Sequence, residues 1–104
     1  MDNSFLGPLL GRSVRMSFSS GFAVSADYLS EARMRWRNGV LSGEETIHAA
    51  RPDEDVVFVS WLETNGTTVS HAINLRTNRL WSFVTYPAGD TRGVSFAEGE
   101  WAFE

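Results

Sequence analysis

Asp55 to Leu75 reads DVVFVSWLETNGTTVSHAINL, and the fold is decided there. Side chains of an extended chain point alternately to opposite faces. Val57, Val59, Trp61 and Glu63 therefore share one face of the first half, and Val56, Phe58, Ser60 and Leu62 the other. After the polar turn Thr64-Asn65-Gly66, Thr67, Val69, His71 and Ile73 alternate in the same way with Thr68, Ser70, Ala72 and Asn74. Asn-Gly is a favoured hairpin-turn pair because both residues tolerate positive φ. The stretch predicts two antiparallel strands folded back on each other, with a carboxylate, Glu63, in line with a row of large apolar residues.

The same period runs outward in both directions. Val14, Met16 and Phe18 alternate with serines and Arg15; Phe22, Val24, Ala26 and Tyr28 alternate with Ala23, Ser25 and Asp27; Ala32, Met34 and Trp36 alternate with Arg33, Arg35 and Arg37 up to Asn38-Gly39. The arginine row reads as a solvated face. Residues 43–50, GEETIHAA, read as a strand by their surroundings, although their glutamates and alanines would also suit a helical turn. Residues 79–86 predict a strand ended by Pro87, residues 88–93 a loop, and residues 94–103 a last strand broken at Gly99. Phe5, Leu9 and Leu10 would cap one end as a short turn. About eight short antiparallel strands predict an up-and-down barrel, because closure removes exposed edges and eight strands can enclose one small ligand. An open half-barrel completed by dimerisation is the alternative.

At 104 residues the chain predicts one domain, 1–104, with enough apolar content, 42%, to bury a core. A net charge of −4 opposes nucleic-acid binding, which needs a basic surface. Without cysteine there is no disulfide, thiol nucleophile or cysteine-ligated metal. The start, MDNSFLGPLLGR, has neither the basic region nor the apolar run of a signal peptide or membrane span, so a cytoplasmic, membrane-free protein is expected. Zinc accepts two histidines and a carboxylate, but His48 and His71 have no recognised metal-site spacing, so no metal or other cofactor is expected. No nucleophile triad or phosphate loop is present.

GRSVRMSFSSGF (11–22), NGVLSG (38–43), VSWLETNGTTVS (59–70) and RLWSFVTYP (79–87) resemble successive strands of phenolic acid decarboxylases and the related MoaF-like proteins. The specific part is the VSW-x-E-x-x-G-T-x-VS block. The resemblance implies a lipocalin-like (calycin) barrel and, by analogy with the decarboxylases, a homodimer; apolar outer faces at Val56, Phe58 and Leu62 are consistent with one, and monomer and dimer both remain open. In the decarboxylases the glutamate of the block is the catalytic acid, an arginine on the fourth strand assists, and two first-strand tyrosines grip the substrate carboxylate. Glu63 matches the acid, Glu44 stands at the arginine position, and Met16 and Phe18 stand at the tyrosine positions. Two carboxylates about 4 Å from a substrate carboxylate would each oppose it by roughly 4 kcal/mol at an effective dielectric of about 20, which favours the MoaF-like side.

If Glu44 points inward as that match implies, Thr46 and His48 do too. They would face Glu63 and His71 within a wall of Met16, Phe18, Tyr28, Trp36, Val59, Trp61, Val69 and Tyr86. Facing carboxylates in apolar surroundings would supply a proton donor and a histidine beside them a base. The expected function is binding of a small aromatic or apolar molecule in the barrel. The alternative is a cofactor-independent lyase or isomerase using Glu63 as general acid/base, with Glu44, His71 and His48 as further catalytic candidates.

Overall fold

Alternating apolar residues draw the chain from Ser13 onward into nine strands: β1 (Ser13–Phe18), β2 (Ala23–Ser30), β3 (Arg33–Asn38), β4 (Leu41–Thr46), β5 (His48–Asp53), β6 (Val56–Leu62), β7 (Thr68–Asn74), β8 (Arg79–Ala88) and β9 (Thr91–Phe103). The structure, a computed structural model, describes residues 4–104, so the first three residues of the expected 1–104 domain lie outside the described residues. All nine strands join one antiparallel sheet in the order β4-β3-β2-β1-β9-β8-β7-β6-β5, curled like a barrel wall. The hairpin forms in the expected register, with Val57 opposite Ile73, Val59 opposite His71 and Trp61 opposite Val69. Its turn is closed by Gly66 N–H donating to Glu63 O at 3.0 Å, and the positive φ of 89° falls on Gly66 alone. This is the three-residue hairpin loop with a glycine bulge rather than a two-residue Asn-Gly turn.

Nine strands replace the expected eight because residues 41–53 change partner midway. Every ladder is antiparallel, so β4, paired with β3, and β5, paired with β6, must run in the same direction. They are successive halves of one extended passage. At its centre Ile47 is buried, and its N–H donates to Ala32 O at 2.9 Å. Among the described residues no ladder joins β4 to β5, so hydrogen bonding does not shut the seam as in the expected closed barrel. Burying Ile47 also sets the phase: Gly43, Glu45, Ile47 and Ala49 are the more enclosed residues, and Glu44, Thr46 and His48 are exposed. A shift of one residue reverses every face of a strand, so the expected inward row of Glu44, Thr46 and His48 is the outward one.

Three further expectations change at β8 and β9. Pro87 does not end β8: Pro87 pairs with Arg92 and Ala88 with Thr91, while the ladder to β7 stops at Thr85. The β8–β9 hairpin thus overhangs the sheet, and a proline is tolerated where one strand edge has no partner. Residues 88–93 accordingly reduce to a tight turn at Gly89-Asp90, with Gly89 at a φ of 65°. Gly99 does not break β9 but lets it approach β1, since a β-carbon there would collide with the Ser17 carbonyl.

The core lies on the concave face. Val14, Met16, Val57, Val59, Ile73 and Leu80 are all but completely buried. Leu6 and Leu9, flanking and ending a 3-10 turn at Gly7–Leu9, plug one end of the curl, whereas Phe5 and Leu10 of the expected cap are exposed. Among the described residues no helix is long and apolar enough to cross a membrane.

Candidate functional site

Up-and-down strand order sends the turns at residues 19–22, 39–40, 63–67 and 89–90 to the end opposite the plug. Between that rim and the buried core lies a cavity of about 490 Å³. Ser20, Asn38, Glu63, Thr67 and Tyr86 stand toward its mouth, and Met16, Ala26, Tyr28, Met34, His71 and Ser82 line it farther down the strands. Glu63 is the only charged residue among the described residues that line it.

Two of its rings are seated by glycines. Trp36 of β3 pairs with Gly43 of β4, and a β-carbon on Gly43 would stand 2.5 Å from the indole. Tyr86 of β8 pairs with Gly93 of β9, where a β-carbon would overlap the phenol ring. Glycine in a strand marks such a close approach. The indole nitrogens are also held: Trp36 Nε1 donates to Glu45 Oε2 at 3.0 Å, and Trp61 Nε1 donates to Glu63 Oε2 at 3.1 Å.

Of the residues expected at the site, Met16, Phe18, Tyr28, Trp36, Trp61, Glu63, Val69, His71 and Tyr86 come together around the cavity. Val59 is fully buried but belongs to the packed core and not to the cavity lining. Glu44 is on the outside, where its Oε1 accepts from Arg33 Nη2 at 2.7 Å, and His48 is exposed. The pair of facing carboxylates does not form, and the electrostatic argument built on Glu44 fails with it. What opposes an anion instead is the lack of any arginine among the described lining residues, together with Glu63 at the mouth. The arginine row does not stand free in solvent either: Arg35 and Arg37 converge on Asp27, which also accepts from Ser13 Oγ, while Arg37 reaches Glu104. The hydrogen bonds from Arg37 lead in holding the Asp27 carboxyl well below the usual carboxylate range.

His71 is enclosed by aromatic rings. Trp61 meets it edge-on at 5.2 Å between centroids, and Phe18 lies 6.4 Å away. Its Nδ1 is buried without a hydrogen-bond partner, and burial pulls the imidazole pKa down from 6.5 to about 4, because a charged ring would be stripped of water. The ring is therefore neutral at physiological pH. Burial likewise pushes the Tyr28 phenol up, so it keeps its proton. Ser82, directly opposite His71 in the β7–β8 ladder, is a cavity residue that the sequence reading passed over. Its signal was the alternation Leu80, Ser82, Val84. Among the described residues no group of three or more histidine, aspartate or glutamate side chains could hold a metal.

Comparison with known proteins adds family and fold. The sequence model of the MoaF-like family matches residues 10–96. No curated protein is matched. A crystal structure from Burkholderia vietnamiensis, provisionally described as a beta-lactamase, superposes with a TM-score of 0.78 at 18% identity, covering 93% of this chain and 96% of that one. At that identity the likeness concerns the fold alone.

Proposed function

The chain belongs to the MoaF-like family, and from that premise we propose that it binds a small aromatic or apolar molecule in the cavity of its curled sheet. The observation that carries this reading is the cavity itself: about 490 Å³, walled by Phe18, Trp36, Trp61 and Tyr86, with no arginine or lysine among the described lining residues. That volume and lining are typical of small-molecule sites. Catalysis has less support, because Glu44 and His48 stand outside and Glu63 has no second acid or charged partner among the described lining residues. The test is titration of tryptophan fluorescence with 4-vinylphenol and with 4-coumarate, since Trp36 and Trp61 line the site. Vinylphenol should quench or shift the emission and coumarate should bind at least about tenfold more weakly, the scale of one uncompensated charge interaction. Low-micromolar binding of coumarate without binding of vinylphenol would overturn the reading.

The homodimer belongs to the same proposal. On the convex face, Phe83 of β8 stands opposite Phe96 of β9 with Val94 beside it, and Phe58 and Leu62 of β6 lie beyond the small side chains Thr68, Ser70 and Ala72 of β7; Phe83 is 47% and Phe96 63% exposed. The exposed parts of the large apolar side chains amount to roughly 500 Å², taking about 150–250 Å² for a whole aromatic side chain. With a polar rim that approaches the ~800 Å² per partner of a standard interface. A second copy of this chain is the occupant, and sedimentation at micromolar concentration should give a dimer that F83E/F96E converts to a monomer. A wild-type monomer would refute it.

A further inference from the structure

His71 and Ser82 face each other across the β7–β8 ladder, both line the cavity, and they are 6% and 8% exposed. No hydrogen bond is made by either side chain among the described residues, and Nδ1 of His71 is enclosed with nothing to pair with. Enclosed polar atoms are ordinarily satisfied; of this pair only Nδ1 is enclosed and bare, while Nε2 and the Ser82 hydroxyl stay open to the cavity. Ser20, Asn38, Glu63, Thr67 and Tyr86 lie toward the mouth, whereas this pair lies farther down, among Met16, Ala26, Met34 and the Tyr28 ring. Nδ1 alone of the two ring nitrogens is enclosed without a partner, which leaves Nε2 as the one the cavity can reach. A neutral imidazole carries one proton. Placing it on Nε2 avoids burying an unpaired N–H, so the cavity meets an N–H donor beside the Ser82 hydroxyl.

We propose that His71 and Ser82 form the polar anchor of the cavity, selecting an uncharged aromatic ligand with one oxygen function, a phenol or carbonyl, at its inner end. The proposal rests on the ligand-binding reading above and deepens it. Two donors converging on one oxygen suit a hydroxyl or carbonyl. An anionic group is disfavoured because neither donor is charged and no cation lines the cavity among the described residues. A catalytic serine does not fit: no hydrogen bond joins Ser82 to His71 among the described residues, and no carboxylate orients the ring, so nothing activates the hydroxyl.

Calorimetric titration with 4-vinylphenol and with 4-methylstyrene, in which a methyl group replaces the hydroxyl, tests this. Wild type should prefer vinylphenol by about tenfold, the worth of one or two hydrogen bonds. In S82A and in H71F that preference should fall to within about twofold while methylstyrene affinity is kept. S82A, a one-atom deletion, carries the test alone if H71F does not fold. Equal binding of both compounds to wild type overturns the anchor but leaves the apolar cavity reading standing. A preference that survives S82A and H71F and is lost in Y28F overturns it as well, transferring the role to the buried Tyr28 phenol. Absence of binding by either compound overturns both this inference and the reading on which it rests.

Discussion

Acidifying the protein from about pH 7 to about pH 5 should weaken the folded state by about 2 kcal/mol through one side chain, His71. Its pKa lies near 4 in the folded protein against 6.5 when exposed, because burial beside Trp61 and Phe18 disfavours the imidazolium. A group whose folded pKa is depressed contributes its full stability above the unfolded value and loses it as pH falls toward the folded one. Between 6.5 and 4 the unfolded chain takes up a proton that the folded chain refuses, and each unit of that window is worth about 1.4 kcal/mol. The loss is therefore about 2 kcal/mol at pH 5 and about 3 kcal/mol at pH 4. The window is separable from that of the carboxylates. Asp27 and Glu104, held low mainly by Arg37 and Ser25, begin to lose their contribution only below their ordinary values of 3.8 and 4.5. Urea unfolding followed by tryptophan emission at both pH values gives the wild-type difference. H71F removes the titrating group at nearly constant volume and breaks no hydrogen bond, so it should stay within about 1.5 kcal/mol of wild type at pH 7. It should also lose the pH 7 to 5 decrement. An equal decrement in H71F, or none in wild type, would refute the reasoning.

Glu63→Gln keeps an oxygen that can accept from Trp61 Nε1, so stability should change by less than about 1 kcal/mol, whereas Glu63→Ala leaves a buried indole N–H unpaired and should cost about 1–3 kcal/mol in the same assay. If a turnover is found, E63Q lowering it by about a hundredfold or more with binding retained would mark Glu63 as a general acid, and unchanged turnover would confine it to holding Trp61. Gly43→Val should destabilise by about 1–3 kcal/mol and blue- or red-shift Trp36 emission, because the indole occupies the space a side chain would need; an unchanged spectrum and midpoint would show that the ring is not seated there.

The sequence by itself determined the antiparallel β architecture and the register of the β6–β7 hairpin. Val57, Val59 and Trp61 had to share a face, and Thr64-Asn65-Gly66 left one short way to turn. Alternation also put Met16, Phe18, Tyr28, His71 and Glu63 on the concave side, since period two carries through an uninterrupted strand. It failed where the pattern is weak. In GEETIHAA no row of large apolar residues fixes the phase, and only tertiary packing decided it, by burying Ile47 against the curl and letting the passage change partner from β3 to β6. That single residue sent Glu44 and His48 outside and removed the two-carboxylate site. The pairing of His71 with Ser82, of Trp36 with Gly43 and of Tyr86 with Gly93 likewise joins residues that are neighbours only across a ladder. A strand's own residues fix which face each side chain takes, but what it meets on that face depends on the register of other strands and on the depth at which the sheet closes over them.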